Sequence, residues 1–291
     1  MSPRSKLITS MLVLGTIGVF RQYIPLPSAF IAMLRGLVGA GFLLVLMAVR
    51  GQKPDKAAIR ANLPVLLASG AALGVNWILI FEAYNNTTVA TATLCYYFAP
   101  ILVILVSPLL LRERLTLKKL ACVFVALLGI VFVSGVLSSG FGGGREYVGV
   151  FFGLGAACLY ATVMILNKKL VNIGSYDRTL MQLGTAGVVL VPYVLLTSEV
   201  EASAFSPTVI LLLAVVCFVH TGISYVLYFA GMKDLSGQTI AILSYIDPIV
   251  AVLCSALFLR EPLGLFGIIG AVLVLGAAFI SELPEKSRAK E

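Results

Sequence analysis

Apolar residues run along the chain in long stretches, and polar residues are confined to short gaps between them. The stretches fall at about 5–24, 28–49, 63–86, 87–111 and 116–137, then at about 147–167, 177–197, 207–231, 236–259 and 263–281. The gaps carry helix-breaking or charged residues: Pro25 and Pro27, the 50–60 segment, Arg112-Glu113-Arg114, the glycines of 140–144, Lys168-Lys169, Glu199 to Glu201, and Arg260-Glu261-Pro262. A helix needs about 20 apolar residues to cross a bilayer, and each stretch is about that long. None alternates with the period of two of a barrel strand. The pattern predicts an all-α membrane protein of ten transmembrane helices. Met1 to Phe20 has the charge order of a signal peptide but lacks a small-x-small cleavage site, and more apolar stretches follow at once, so it is read as a retained first helix.

Composition agrees with the pattern. Of 291 residues, 60% are hydrophobic and 12% charged, whereas a soluble domain has about 25% charged residues to face water. A soluble enzyme, a secreted disulfide module and a nucleic-acid reader are excluded on this ground. The net charge of +8 comes from 21 Lys+Arg against 13 Asp+Glu, and its placement matters more than its size. With the N-terminus in the cytoplasm, seventeen of the 21 basic residues fall on that side, Arg21, Arg145 and Arg260 fall opposite, and Arg35 lies within a span. Basic residues mark cytoplasmic loops, so both termini are predicted inside, with 283–291 as a cytoplasmic tail. The charge then needs no nucleic-acid partner. Cys95, Cys122, Cys158, Cys217 and Cys254 stand singly in apolar stretches and read as small core residues, with no metal site among them.

The chain also repeats itself. Residues 97–115 overlie 245–263 without a gap, at the offset of 148 residues that separates Pro100 from Pro248. Tyr97/Tyr245, Ser107/Ser255, Arg112/Arg260 and Glu113/Glu261 match, and the same offset pairs Phe81 with Phe229. The expected units are 1–139 and 145–282, each with five spans. Five is odd, so the second unit enters the bilayer from the opposite side, and inverted repeats of this kind are typical of secondary transporters.

An apolar run that starts at a proline and ends in Leu-Arg-Glu-x-Leu, present as Pro100 to Leu115 and Pro248 to Leu263, together with Pro27 to Arg35 in the second span, resembles the drug/metabolite transporter superfamily, EamA type. The resemblance covers essentially the whole chain. It implies two inverted five-helix halves around a central cavity lined by roughly the first four helices of each, with the fifth and tenth spans peripheral or at a dimer contact. It also implies a bacterial inner (cytoplasmic) membrane and a small-molecule substrate, its members handling amino acids, amines, nucleotide-like metabolites and toxic cations.

Candidate residues follow from where polar and aromatic side chains interrupt the spans. Pro100 and Pro248 each remove a helical hydrogen bond and free a carbonyl near Tyr96 and Ser244, which suits a hinge. Asp247 replaces the Ala99 of the first half near mid-span, where a carboxylate is costly and a functional role is the default; it could hold a substrate ammonium or a coupling proton. His220, the one histidine, has an ordinary titration range suited to proton handling, although a lone buried histidine is more often structural. Arg35 could meet a substrate carboxylate, but an internal bridge to Glu82 or Asp247 is the preferred reading. Glu82 also breaks the repeat symmetry, and Asn76 can hydrogen-bond without charge. Trp77, Phe81 and Tyr84 share one helix face, Tyr225, Tyr228 and Phe229 another, and with Tyr96, Tyr97 and Tyr245 they could enclose a flat ring or an organic cation. Packing is the alternative for such stripes.

No phosphate-binding loop, HExxH or GxSxG occurs, and Gly142-Gly143-Gly144 reads as a joiner between halves. The expected protein is a cofactor-free transporter, monomeric or homodimeric, that exports an amino acid, amine or drug-like solute by alternating access, with proton coupling through Asp247. A facilitative uniporter, a membrane-embedded enzyme and a non-transporting scaffold are the rivals.

Overall fold

The computed structural model describes residues 1–110, 116–133, 144–232, 235, 243–261 and 263–283, and every regular element among them is helical. The first Leu-Arg-Glu motif (111–115), residues 140–143 of the joiner, the start of the ninth predicted span (236–242) and the tail from 284 onward lie outside the described residues.

Helix boundaries follow local chemistry. In α1 (Pro3–Gly15) the proline sits at the start, where its missing amide costs nothing, and Ser2 Oγ accepts from the Ser5 amide at 3.2 Å. A turn at Thr16 separates α1 from α2 (Ile17–Gln22), and α3 is Ser28–Val49. α4 (Lys56–Asn86) begins well before the predicted residue 63. Asp55 Oδ1 accepts from the Ala57 and Ala58 amides, both at 3.0 Å, and so caps two polar turns that a count of apolar residues passes over.

The fourth predicted span is two helices, α5 (Val89–Tyr96) and α6 (Ala99–Leu110), with turns at Tyr97 and Phe98. Next come α7 (Leu117–Val133), α8 (Gly144–Lys168) and α9 (Ser175–Thr197). The eighth span joins α10 (Pro207–Ala214), a π-helical segment (Val215–Ile223) and α11 (Ser224–Met232). A turn at Tyr245 precedes α12 (Ile246–Phe258), and α13 is Leu265–Glu282.

Tyr97 and Tyr245 are repeat partners, so the interruption recurs at the same place in both halves. Each proline lies in the first turn of the helix after the break: Pro100 is the second residue of α6 and Pro248 the third of α12. A proline is tolerated there because first-turn amides have no helical acceptor. The expected kink inside a continuous helix is corrected to a break just ahead of each proline.

Among the described residues, six helical stretches have the length and apolarity to cross a membrane: Ser28–Val49, Lys56–Asn86, Val89–Val106, Gly144–Lys168, Ser175–Thr197 and Pro207–Gly231; α12 and Leu265–Ser281 are shorter apolar helices. Large apolar side chains are exposed around the outside, among them Phe124 and Val131 on α7, Phe151 on α8, Leu195 on α9 and Val272 on α13. Hydrocarbon accepts such a surface. Cys158 also faces outward, against the expectation of a core residue.

Close crossings set how the helices pack. At the crossing of α3 and α9, a Cβ on Gly36 would lie 2.5 Å from the Gly187 amide nitrogen, and a Cβ on Gly187 would lie 2.7 Å from the Leu37 amide nitrogen. Only paired glycines allow this approach. α4 packs on α8 and α9, α1 on α11 and α12, and α7 on α13. One apolar cluster gathers around α3, α4 and α9, and a second around α5 to α8 and α13.

Candidate functional site

A cavity of about 500 Å³ is lined from α1, α2, α3, α4, α5, α6, α8, α9, α11 and α12. Trp77, Phe81 and Tyr84 face it together from α4, as their four- and three-residue spacing requires. Tyr96 and Tyr97 enter from the broken end of α5, Tyr225 and Tyr228 from α11, and Tyr245 and Asp247 from the start of α12. Pro100 reaches the wall, whereas Pro248 is buried behind it.

The two helix breaks meet in this cavity. The Tyr97 hydroxyl donates to Asp247 Oδ2 at 2.9 Å and lies 3.5 Å from the carbonyl of Ser244, four residues before Pro248. Asp247 and Tyr97 thus join the two repeats at their interruptions. Around them Tyr96 stacks on Tyr160 with ring centres 5.1 Å apart, and Tyr97 and Tyr245 lie 6.3 Å apart.

Arg35 is 4% exposed and lines the cavity from α3. The expected bridge to Glu82 or Asp247 is absent among the described residues. Its Cζ instead sits 4.3 Å from the Trp77 ring centre and 5.4 Å from that of Phe81, and its Nε donates to Thr221 Oγ1 at 3.1 Å. Glu82 lies off the cavity near the end of α4, where it accepts from Asn85 Nδ2 at 3.3 Å.

Asn76 and His220 also turn away from the cavity. Asn76 is fully buried and donates to the carbonyl of Ala156 at 2.6 Å, tying α4 to α8. His220 Nε2 lies 2.9 Å from Thr16 Oγ1, its Nδ1 lies 3.3 Å from the carbonyl of Val215, and its ring meets Phe20 edge-on at 4.8 Å. Both ring nitrogens are held between the π-helical segment and the break after α1, which is the arrangement of a structural histidine. His220→Gln is expected to lower thermal stability by about 1–2 kcal/mol and to leave the pH profile of solute flux unchanged; an altered profile would restore a proton-handling role.

Tyr160, Asn167 and Arg178 line the cavity without having stood out in the sequence. Arg178 reads there as a loop cation, but α9 begins at Ser175 and its first turn carries Arg178 to the wall. Gln182, on the same face one turn later, donates to Ser69 Oγ at 2.9 Å and to Asn167 Oδ1 at 2.6 Å. The helical spacing of 178 and 182 is the signal that could have found it.

Exposure rises toward Arg178. Arg35, Trp77 and Phe81 are buried, Asn167 and Arg178 are half-buried, and the adjacent Lys168 is exposed, so the wall around Arg178 is more accessible than that around Arg35. Polar contacts tie the Tyr84 end together. Gln22 Nε2 donates to the carbonyl of Tyr84, Arg21 donates to the carbonyl of Ile24 at 2.9 Å and to Ser28 Oγ at 3.0 Å, and Asn85 donates to Ser28 Oγ at 3.3 Å. Glu261, of the second Leu-Arg-Glu motif, accepts at Oε2 from the Val89 amide at 3.1 Å and from Ser255 Oγ at 2.7 Å. Arg260 takes φ 56°, a left-handed turn that swings Glu261 back over Ser255. A second-half carboxylate therefore caps a first-half helix. Glu261→Ala is expected to speed hydrogen exchange of the Val89 amide about tenfold or more, the worth of one charge-assisted hydrogen bond.

Comparison with known proteins places this geometry in a lineage. The family model described as EamA-like transporter family matches residues 5–135 and 147–282. The chain is 26% identical over 284 residues to the uncharacterized transporter YxxF of Bacillus subtilis, covering 98% of this chain and 90% of that one. It is 23% identical to the uncharacterized inner membrane transporter YicL of Salmonella typhimurium, covering 95% and 93%. A crystal structure 19% identical in sequence superposes with a TM-score of 0.67 over 96% of this chain and 95% of that one, a likeness of fold alone.

Proposed function

Since the chain belongs to the EamA-like transporter family and is a membrane transporter by that membership, we propose that it moves a small organic solute out of the cell by alternating access through the tyrosine-lined cavity. The observation that carries this reading is a cavity with half-buried Arg178 toward one end and polar contacts tying the Tyr84 end together, with a helix break from each repeat meeting inside it. The proposed frame is ten spans in two inverted units, 1–139 and 145–282, with both termini in the cytoplasm of a bacterium and the chain in its inner membrane. In that frame the Arg178 end faces the cytoplasm and the structure is the inward-facing state. Solute enters at Arg178, and the halves then rock about the breaks before Pro100 and Pro248, releasing the Glu261 cap and opening the Tyr84 end.

Asp247 and Tyr97 are the proposed coupling pair. A carboxylate accepts the Tyr97 hydrogen bond, and a protonated one weakens that bond, so proton occupancy biases how the two broken helices sit against each other.

Solute flux in liposomes reconstituted with the purified protein tests this function. Saturable flux of metabolites from a mixed library, cut about tenfold or more in Tyr97→Phe or Asp247→Asn, is the expected result. A chain that binds solutes in the cavity and carries none across would be a scaffold or receptor.

A further inference from the structure

We infer that Arg35 is the anion-binding group of the cavity, and that the transported solute carries a carboxylate or similar planar oxyanion beside an apolar or aromatic body. This rests on the transporter reading and names the chemical group the solute must present.

The guanidinium is permanently charged and offers five N–H donors in a rigid fork. At 4% exposure, such a charge is expensive unless something pairs with it. Its surroundings supply only part of that pairing. The Thr221 hydroxyl donates its proton to the carbonyl of Val216 at 3.1 Å, five residues back in the π-helical segment. Its oxygen is then left to accept from Arg35 Nε at 3.1 Å. The rings of Trp77 and Phe81 hold the guanidinium plane at 4.3 and 5.4 Å. Among the described residues, nothing accepts from the two Nη groups. Thr221 and the rings fix the orientation, and the Nη edge remains for a bidentate acceptor of carboxylate shape.

The charges around the cavity favour the same class. Among the described residues, its lining includes two arginines, Arg35 deep inside and Arg178 farther out, against one acidic residue. That residue, Asp247, already holds the Tyr97 hydroxyl on Oδ2. A low-dielectric cleft with an excess of one sign concentrates the opposite ion. An amine or organic cation, expected from Asp247 and the aromatic residues alone, would have to pass Arg178 and settle near Arg35. A carboxylate meets a cation farther out and a second, oriented one at depth, with aromatic walls for its body.

Trp77 is the only tryptophan in the chain and stands against Arg35, so its fluorescence reports on this site alone. The test uses the full-length protein in lipid nanodiscs, with iodide and caesium as anionic and cationic quenchers. Iodide is expected to quench Trp77 about tenfold more effectively than caesium, with the difference largely lost in Arg35→Gln. Cyclohexanecarboxylate should protect against iodide, and cyclohexanecarboxamide and cyclohexylmethylamine should not. If Arg35→Gln fails to fold, Thr221→Val retains the charge and removes its orientation; it should keep the iodide preference and weaken protection by the carboxylate. Equal quenching by the two ions, or protection by the amine rather than the acid, overturns the inference. Flux measured on the same protein separates the two readings. Solute movement without an iodide preference sinks this inference alone, and carboxylate protection without any flux upholds it while sinking the transporter reading.

Discussion

Asp247→Asn is expected to cut solute flux by about tenfold to a hundredfold, to abolish its pH dependence and to leave thermal stability nearly unchanged. The substitution keeps the shape of the side chain and an oxygen that can still accept from Tyr97, so the junction between the broken helices survives. It removes the group that changes charge. The amide cannot exchange a proton, so only the step that needs the charge change is penalised; a penalty of about 1.5–3 kcal/mol on that step, the scale of interactions with an ionised group, at a factor of about ten per 1.4 kcal/mol, gives the stated range. Flux into liposomes between pH 6 and pH 8, alongside a melting curve, reads all three quantities. An unchanged pH profile would remove proton coupling through Asp247.

Gly36→Ala is expected to cost the largest share of stability among single methyl additions, about 2–3 kcal/mol, the range for overpacking a tight contact. The new Cβ would lie 2.5 Å from the nitrogen of Gly187, 2.7 Å from its Cα and 2.8 Å from the carbonyl oxygen of Leu183. All three are backbone atoms, so relief requires α3 and α9 to separate. The same shift would displace Arg35, one residue earlier on α3. Gly41, on the same helix, has nothing within 4 Å of its Cβ direction, and Gly41→Ala should be neutral or mildly stabilising. Melting of the two variants in one detergent checks the pair, and equal melting temperatures would contradict the close crossing.

The sequence made the six long apolar helices legible because hydrocarbon imposes a length and a composition on any segment that crosses it. It also placed the two helix breaks within a few residues, since the repeat put a proline at the same position in both halves. Aromatic faces were equally readable: Trp77, Phe81 and Tyr84 share a side of α4 whatever its neighbours, and the cavity lies on that side. What could not be read was the rotation of each helix against the others. Asn76 adjoins Trp77 in sequence, yet points at α8 rather than the cavity. His220 follows its π-helical segment toward Thr16, while Thr221 turns to Arg35, and no proline or sequence period announces that segment. Arg35 found aromatic faces instead of a carboxylate because Glu82 sits off the cavity and Asp247 already has a phenol. The Leu-Arg-Glu motif marked the family without showing that Glu261 caps a helix of the other half, a contact 172 residues distant in sequence.

The most direct test of alternating access is chemical labelling at Ala251, a small residue on the cavity wall with 4% exposure. Ala251→Cys, in a chain whose five native cysteines are replaced by serine, would be treated with a membrane-impermeant maleimide in right-side-out and in inverted vesicles. Labelling from both faces is the predicted result, faster from the cytoplasmic face and shifted toward the other by Glu261→Ala. Labelling from one face only, unaltered by Glu261→Ala, would show a blind pocket and contradict passage through this cavity.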